Sequence, residues 1–181
     1  MTKSHRLATL TGVIALLVSS VFFTGSASAN AISSPASVEK TAVVHKAKQV
    51  GFMLSSNLNN RCLEVRAANS LNGALVTMWD CHGGSNERWF WDGEWIRSDQ
   101  TGKCLDIVAG NTGDAASVDM FDCHSDWLGQ KWYWDGNLLK SRIDPGGNRC
   151  LAIVEANRLN GAGVEIFGCS RENPNYQWRT T

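Results

Sequence analysis

Six cysteines are the residues of this sequence whose type and spacing most clearly indicate chemistry. Thiols can oxidise to disulfides or bind a metal such as zinc, but the sequence has no C-x-x-C motif and no cysteine–histidine spacing of the zinc type. His82 and His124 each directly follow a cysteine. We nevertheless expect disulfides and no metal site. The cysteines form three pairs, each separated by 19 residues, which are Cys62/Cys81, Cys104/Cys123 and Cys150/Cys169.

The pairing of the cysteines is constrained by this regular spacing. Six cysteines allow 15 pairings, and a threefold repeat reduces them to pairing within each unit or one of two cyclic schemes across units. Pairing within each unit is the simplest of the three. In the chain-entropy model, each such bridge would contribute roughly 3 kcal/mol to stability.

The segments between the paired cysteines are copies of one unit. The first and third are identical at ten of 20 positions, and the first and second at nine. The similarity continues beyond the second cysteine, since WFWDG from position 89 returns as WYWDG from position 132, and Trp178 closes the third unit. The three segments read CLEVRAANSLNGALVTMWDC, CLDIVAGNTGDAASVDMFDC and CLAIVEANRLNGAGVEIFGC.

Each unit has the pattern of short β-strands. Apolar residues alternate with polar or small ones after each first cysteine, as in half-buried strands. The Asp-Gly dipeptides at positions 92 and 135 indicate hairpin turns, because such turns need positive φ. No stretch has sustained helical periodicity. We therefore predict an all-β fold with roughly four strands per unit and about twelve in total.

The first part of the chain resembles an export signal rather than folded structure. Lys3 and Arg6 precede a short apolar run, and Ala27-Ser28-Ala29 fits the small-x-small cleavage rule. We expect a secreted, extracellular protein without membrane insertion. The predicted segments are a signal peptide at 1–29, a flexible segment at 30–50 and a domain at 51–181 with repeats at about 51–94, 95–137 and 138–181.

Charge and motif content exclude several classes of function. The 17 basic and 17 acidic residues balance, so bulk electrostatics give no support for a nucleic-acid partner. The sequence lacks G-x-S-x-G, H-E-x-x-H, P-loop and G-x-G-x-x-G motifs. We expect no enzymatic activity and no cofactor.

The repeated unit resembles the ricin B-type lectin family, as a secreted bacterial-type stand-alone domain. The resemblance rests on a C-L-D/E-hydrophobic start, a hydrophobic-aromatic-x-Cys end and a Q-x-W-like tryptophan, all in register three times. The Q-x-W element itself is kept once, at Gln130-Lys131-Trp132. This resemblance implies a β-trefoil whose core contains Trp89, Trp132 and Trp178.

The same resemblance implies sugar-binding residues. Family sites have a carboxylate two residues after the first cysteine, a ring two residues before the second and an amide near the tryptophan. A carboxylate accepts hydroxyl protons, and a ring stacks on the apolar face of a sugar. The residues of this sequence at the matching positions are the predicted sugar-binding residues. They are Glu64, Trp79, Asn86 and Glu87 in the first unit and Asp106, Asp119, Phe121 and Gln130 in the second.

The three units are expected to differ in their affinity for sugar. Asp106 has the family length and is expected to point at solvent, which favours the second unit although Gly129 replaces its asparagine. Ala152 replaces the carboxylate of the third unit, which is therefore expected to be silent despite Phe167 and Asn175. The predicted function is carbohydrate binding. The alternative is a protein-binding trefoil, either an inhibitor or a delivery subunit, with decayed sugar sites.

Overall fold

A computed structural model of the protein describes residues 51–181, so the predicted signal peptide (1–29) and N-terminal segment (30–50) lie outside the described residues. The described chain contains no helix long and apolar enough to span a membrane. Six 3-10 helices connect its strands: Arg66–Ala68, Ser85–Glu87, Val108–Gly110, Leu128–Gln130, Val154–Ala156 and Pro174–Tyr176. The twelve strands are β1 (Leu54–Ser56), β2 (Cys62–Val65), β3 (Ala74–Trp79), β4 (Trp89–Asp92), β5 (Trp95–Ser98), β6 (Cys104–Ile107), β7 (Ala116–Phe121), β8 (Trp132–Asp135), β9 (Leu138–Ser141), β10 (Cys150–Ile153), β11 (Ala162–Phe167) and β12 (Trp178–Thr180).

Six of the strands form a closed ring. The antiparallel pairs are β12 with β1, β4 with β5, and β8 with β9. Three further bridges join these pairs to one another: Phe52 to Trp89, Trp95 to Lys131, and Leu138 to Gln177. Closure removes the exposed strand edges that an open sheet would leave.

The other six strands form three hairpins at one end of this ring. They are β2–β3, β6–β7 and β10–β11. Their second strands β3, β7 and β11 each pair with the other two, so the hairpins meet around a common axis. A six-stranded ring capped by three equivalent hairpins is a β-trefoil, which confirms the predicted fold class.

The core is built from the same positions of each unit. Because side chains alternate along a strand, every second residue of a hairpin points inward. The first inward residue of each hairpin is Leu63, Leu105 or Leu151, and all three are fully buried. The other equivalent core sets of the hairpins are Val65/Ile107/Ile153, Ala74/Ala116/Ala162, Val76/Val118/Val164 and Met78/Met120/Ile166, and the ring strands contribute Leu54/Ile96/Leu139.

One tryptophan per unit ties the ring to a hairpin. The indole N–H of Trp89 donates to the Leu63 carbonyl at 3.1 Å. In the other two units, Trp132 donates to Leu105 at 3.0 Å and Trp178 to Leu151 at 2.9 Å. All three indoles are at most 1% exposed, so each hydrogen bond satisfies a carbonyl that water cannot reach.

Each unit also contains one disulfide. The three bridges are Cys62–Cys81, Cys104–Cys123 and Cys150–Cys169. Each bridge joins the start of a hairpin to the loop after its second strand. The within-unit arrangement is therefore the one present.

A left-handed turn follows the first strand of each hairpin. Ala67 and Ala68 both have φ of 52°, and Ala109 and Gly110 occupy the equivalent positions of the second unit at 54° and 61°. Glu155 repeats the conformation in the third unit. Residues with a Cβ adopt this region at a cost of about 1–2 kcal/mol, so only the second unit relieves one position with glycine.

Removing the core indole hydrogen bond should destabilise the fold. Trp132→Phe keeps an apolar ring but leaves the buried Leu105 carbonyl without a donor, so we expect a loss of about 2–4 kcal/mol. Urea unfolding measures the change. Trp127→Phe, at an indole that is 40% exposed, is the matched control, with an expected change below about 0.5 kcal/mol. Equal effects of the two substitutions would contradict this role of the core indole.

Relieving a left-handed alanine should stabilise the fold. For Ala68→Gly we expect a gain of about 0.5–1 kcal/mol, because the removed strain exceeds the extra entropy of unfolded glycine. Gly110→Ala is the reciprocal control. A Cβ there would meet no atom within 4 Å, so its cost comes from the backbone alone. Thermal unfolding in which both substitutions change stability in the same direction would contradict the assignment.

Candidate functional site

Each hairpin presents an outward face opposite to the core. In the second unit, Asp106 of β6 lies directly across from Asp119 of β7. Phe121 is two residues beyond Asp119 and therefore lies on the same face. The equivalent cross-strand pairs are Glu64 with Thr77 in the first unit and Ala152 with Glu165 in the third.

The outward face of the second unit lines a cleft of about 630 Å³. Asp106 and Asp119 form its acidic wall, and Phe121 and Trp127 contribute its rings. Gly129, where the family asparagine is missing, also lines the cleft. A side chain at this position would contact Ile107 and Ile143, each at 3.4 Å from the first side-chain carbon.

The two acids of the cleft are largely buried. Asp106 is 4% exposed and Asp119 is 7% exposed, so the expectation that Asp106 points at solvent is wrong. The register places Asp119 directly opposite Asp106 on the neighbouring strand. Asp119 Oδ1 is buried and has no hydrogen-bond partner within residues 51–181. The cleft therefore holds an acceptor oxygen that a ligand could satisfy.

Burial also changes the electrostatics of these acids. Desolvation, reinforced by the neighbouring Asp119 charge, raises the pKa of Asp106 from 3.8 to about 6. Hydrogen bonds from Gln130 and from the Ile107 backbone act in the opposite direction. Desolvation also raises the pKa of Asp119. Two like charges in one partly buried cleft thus disfavour each other's ionisation.

An aromatic cluster forms the other side of the cleft. The rings of Phe121 and Trp127 lie 5.5 Å apart, and the His124 ring stacks on Trp127 at 4.0 Å. Trp127 remains 40% exposed. Trp127 was not among the predicted site residues, because it lies in a loop with no equivalent tryptophan in the other units.

The first unit uses its polar groups differently. Asn86 donates to Glu64 at 3.0 Å, and Thr77 donates to the other Glu64 oxygen at 3.5 Å. Desolvation and the nearby Glu87 charge raise the pKa of Glu64. Trp79 is 41% exposed. The predicted amide and carboxylate are therefore adjacent but already bonded to each other.

The residues predicted from the Q-x-W glutamine are buried. Gln130 and Glu87 are both fully buried. Gln130 accepts the His124 backbone N–H at 2.7 Å and donates to the Asp122 carbonyl at 3.0 Å. Glu87 accepts the backbone N–H of His82. Both side chains hold the loop after the second cysteine, so they could act on a ligand only through their neighbours.

The third unit contains a carboxylate that sequence reasoning missed. Glu165 lies opposite Ala152 and lines a second cleft of about 420 Å³ with Phe167, Asn175 and Tyr176. Glu165 is aligned with Asp119, because each lies 15 residues after the first cysteine of its unit. We expected this unit not to bind sugar because Ala152 replaces the carboxylate. Glu165 provides a carboxylate on the opposite strand, so the lack of an acid at position 152 no longer excludes binding.

Comparisons with known proteins agree with this architecture. The family model for the ricin-type beta-trefoil lectin domain matches residues 41–132 and 95–181. The chain belongs to the ricin-type β-trefoil lectin family. Carbohydrate binding is thereby supported at the level of the family. Among curated proteins, no sequence matches this chain significantly.

Solved structures resemble this lectin domain over most of its length. The β-trefoil lectin of the Vibrio vulnificus hemolysin/cytolysin, solved with N-acetyl-D-lactosamine bound, is 31% identical, with a TM-score of 0.57 over 73% of this chain and 93% of that chain. The earthworm R-type lectin C-half, in complex with GalNAc, is 20% identical, with a TM-score of 0.63 over 72% and 97%. The designed threefold protein ThreeFoil is 24% identical, with a TM-score of 0.62 over 72% and 96%.

The raised pKa of Asp106 predicts a specific dependence of stability on pH. An acid whose pKa is higher in the folded state stabilises the fold below its unfolded pKa of 3.8, and this stability is lost as the pH rises through about 6. We therefore expect Asp106→Asn to be more stable than the wild type at pH 7 by about 2–3 kcal/mol. The difference should vanish near pH 4, as measured by urea unfolding across the pH range.

A control with the opposite sign is available next to the cleft. Hydrogen bonds from Lys103 and Asn72 lower the pKa of the exposed Asp122. Asp122→Asn should therefore reduce stability at pH 7. If Asp106→Asn also reduces stability at pH 7, the electrostatic account of the cleft is wrong.

Proposed function

We propose that this protein is a secreted lectin whose principal carbohydrate site is the cleft of the second unit. The observation that carries the proposal is the juxtaposition of two carboxylates with an exposed aromatic ring. Asp106 and Asp119 face each other across one hairpin, and Trp127 borders the same cleft. A neutral sugar is complementary to this cleft, because its hydroxyls can donate hydrogen bonds to the carboxylates and its apolar C–H face can stack on the aromatic ring.

The proposed binding mode assigns a role to each side of the cleft. Asp106 and Asp119 accept hydrogen bonds from sugar hydroxyls. Trp127 and Phe121 stack on the apolar face of the ring. Because an ionised carboxylate is the stronger acceptor, affinity should increase as the pH rises through the Asp106 pKa of about 6.

The first and third units are weaker candidates for the same role. In the first unit, Glu64 already accepts hydrogen bonds from Asn86 and Thr77, so a sugar must compete with these partners. In the third unit, Glu165 shares a smaller cleft with Glu155 and the exposed Phe167, and it lies opposite Ala152 rather than a second acid. The second unit has two carboxylates that face each other across one hairpin, and its cleft is the larger of the two, which supports its ranking as the strongest site.

Secretion and the absence of catalysis complete the proposal. Three disulfides within one small domain are consistent with an oxidising, extracellular environment. The proposed signal peptide at 1–29 would direct the chain there. Binding without bond cleavage requires no catalytic motif. The competing function, binding of a protein partner, would not need two buried acids inside a cleft.

Substitutions in the cleft should reduce glycan affinity. A glycan array with the purified protein identifies a ligand, and calorimetry then measures its affinity. We expect Asp106→Asn to reduce affinity about 10- to 100-fold, since a hydrogen bond to a charged group contributes about 1.5–3 kcal/mol. Trp127→Ala should reduce it similarly, and Glu64→Gln should have a smaller effect.

Asp122→Asn is the matched control, because this exposed acid pairs with Lys103 rather than lining the cleft. It should leave affinity unchanged. Loss of binding in Glu64→Gln but not in Asp106→Asn would reverse the ranking of the units. An array on which no glycan binds would favour the protein-binding alternative.

A further inference from the structure

The first unit has an acid where the second unit has an amide. The Q-x-W glutamine is Gln130 in the second unit, where its Nε2 donates to the Asp122 carbonyl, and the third unit has Tyr176 at this position. Glu87 occupies this position in the first unit and has no N–H to donate. Its Oε2 accepts the backbone N–H groups of His82 and Gly83 at 2.8 and 2.7 Å.

The second oxygen of Glu87 accepts no hydrogen bond within residues 51–181, although His82 Nε2 lies 3.5 Å from it. Glu87 is 0% exposed, and its Oε1 is buried with no hydrogen-bond partner in the described part of the chain. A buried, unpaired carboxylate oxygen is costly, and native structures rarely retain one without a reason. A positively charged ligand would compensate the unpaired oxygen of Glu87.

Two further ligand groups surround this oxygen. His82 Nε2 lies 3.5 Å from Glu87 Oε1 and 3.8 Å from Glu64 Oε2. One ligand atom from each of the three residues lies within 4.8 Å of the others. Zinc–ligand distances of about 2.0–2.2 Å imply about 3.3–3.5 Å between tetrahedral ligands. A small closure of Glu64 would thus bring the three groups to bonding distance.

The local charge balance favours a cation. Glu64 and Glu87 are both buried, and His82 is the only basic side chain in residues 51–181 that forms an ion pair with either of them. The other groups bonded to Glu64 are the neutral Asn86 and Thr77. A divalent cation would offset both carboxylates at once.

We propose that Glu64, His82 and Glu87 bind a divalent transition-metal cation. An imidazole nitrogen with two carboxylate oxygens is a donor set that Zn²⁺ accepts. The Gly84 N–H donates to His82 Nδ1 at 3.1 Å, so Zn²⁺ binding at Nε2 requires the ring proton to move to Nδ1 and this exposed hydrogen bond to break. The His82 side chain is 48% exposed, so the fourth position faces solvent and can hold water. The three residues are separated in sequence and meet only through folding, which is why cysteine and histidine spacing predicts no metal. This inference does not rest on sugar binding by the second unit.

Zinc titration of the untagged full chain tests the proposal. We expect one Zn²⁺ per chain at this site by calorimetry and an increase in melting temperature on addition of Zn²⁺. Co²⁺ in place of Zn²⁺ should give the visible absorption of a four-coordinate site. Glu87→Gln and His82→Ala should each weaken Zn²⁺ binding at least tenfold and abolish the Co²⁺ absorption.

Two controls make the result specific. Glu87→Gln introduces the residue that the second unit contains at this position, Gln130, so without metal it should fold at least as stably as the wild type. His124→Ala changes the equivalent histidine of the second unit, which stacks on Trp127 and should leave Zn²⁺ binding intact. The proposal is overturned if the wild type binds Zn²⁺ no tighter than about 1 mM. The proposal is also overturned if Glu87→Gln and His82→Ala both bind Zn²⁺ as tightly as the wild type. The same holds if only His124→Ala loses Zn²⁺ binding.

Discussion

The indole-to-carbonyl hydrogen bond, repeated once per unit, is the interaction on which the rest of the structure depends. Trp132 donates to the Leu105 carbonyl, and the next residue along that strand is Asp106. The bond therefore fixes the strand that carries the candidate site acid, while the ring of Trp132 fills the shared core. Because an unpaired buried carbonyl is costly, the tryptophan position can change little without loss of the hairpin geometry.

This constraint leaves the outward face of each hairpin free to differ. Inward positions are shared by all three units, whereas the outward cross-strand pair is Glu64 with Thr77, Asp106 with Asp119, or Ala152 with Glu165. Substitutions on that face do not disturb the core. One scaffold can thus hold an open acidic cleft in one unit and a carboxylate–histidine cluster in another.

The sequence predicts what repeats along the chain better than what meets across strands. Identical cysteine spacing and the recurring tryptophan indicated the threefold repeat, and the family resemblance that these motifs carry implied the β-trefoil and its core tryptophans. The facing of Asp106 and Asp119 depends on strand register, which spacing within one strand does not reveal. Trp127 lies outside the core tryptophan positions, and its place in the cleft could not be predicted from the repeat, because its loop has no equivalent tryptophan in the other units. Glu165 could have been found by aligning it with Asp119.

The cleft acids illustrate how function can oppose stability. At neutral pH, an acid with a pKa near 6 is mostly ionised although burial disfavours its charge, so the empty fold carries a cost of about 2–3 kcal/mol. An uncharged amide would avoid this cost but would be a weaker acceptor for hydroxyl protons. A disulfide in each unit restricts the unfolded chain and offsets such costs. In the chain-entropy model, one such bridge contributes roughly 3 kcal/mol, which is similar in size to the cost of the ionised acid.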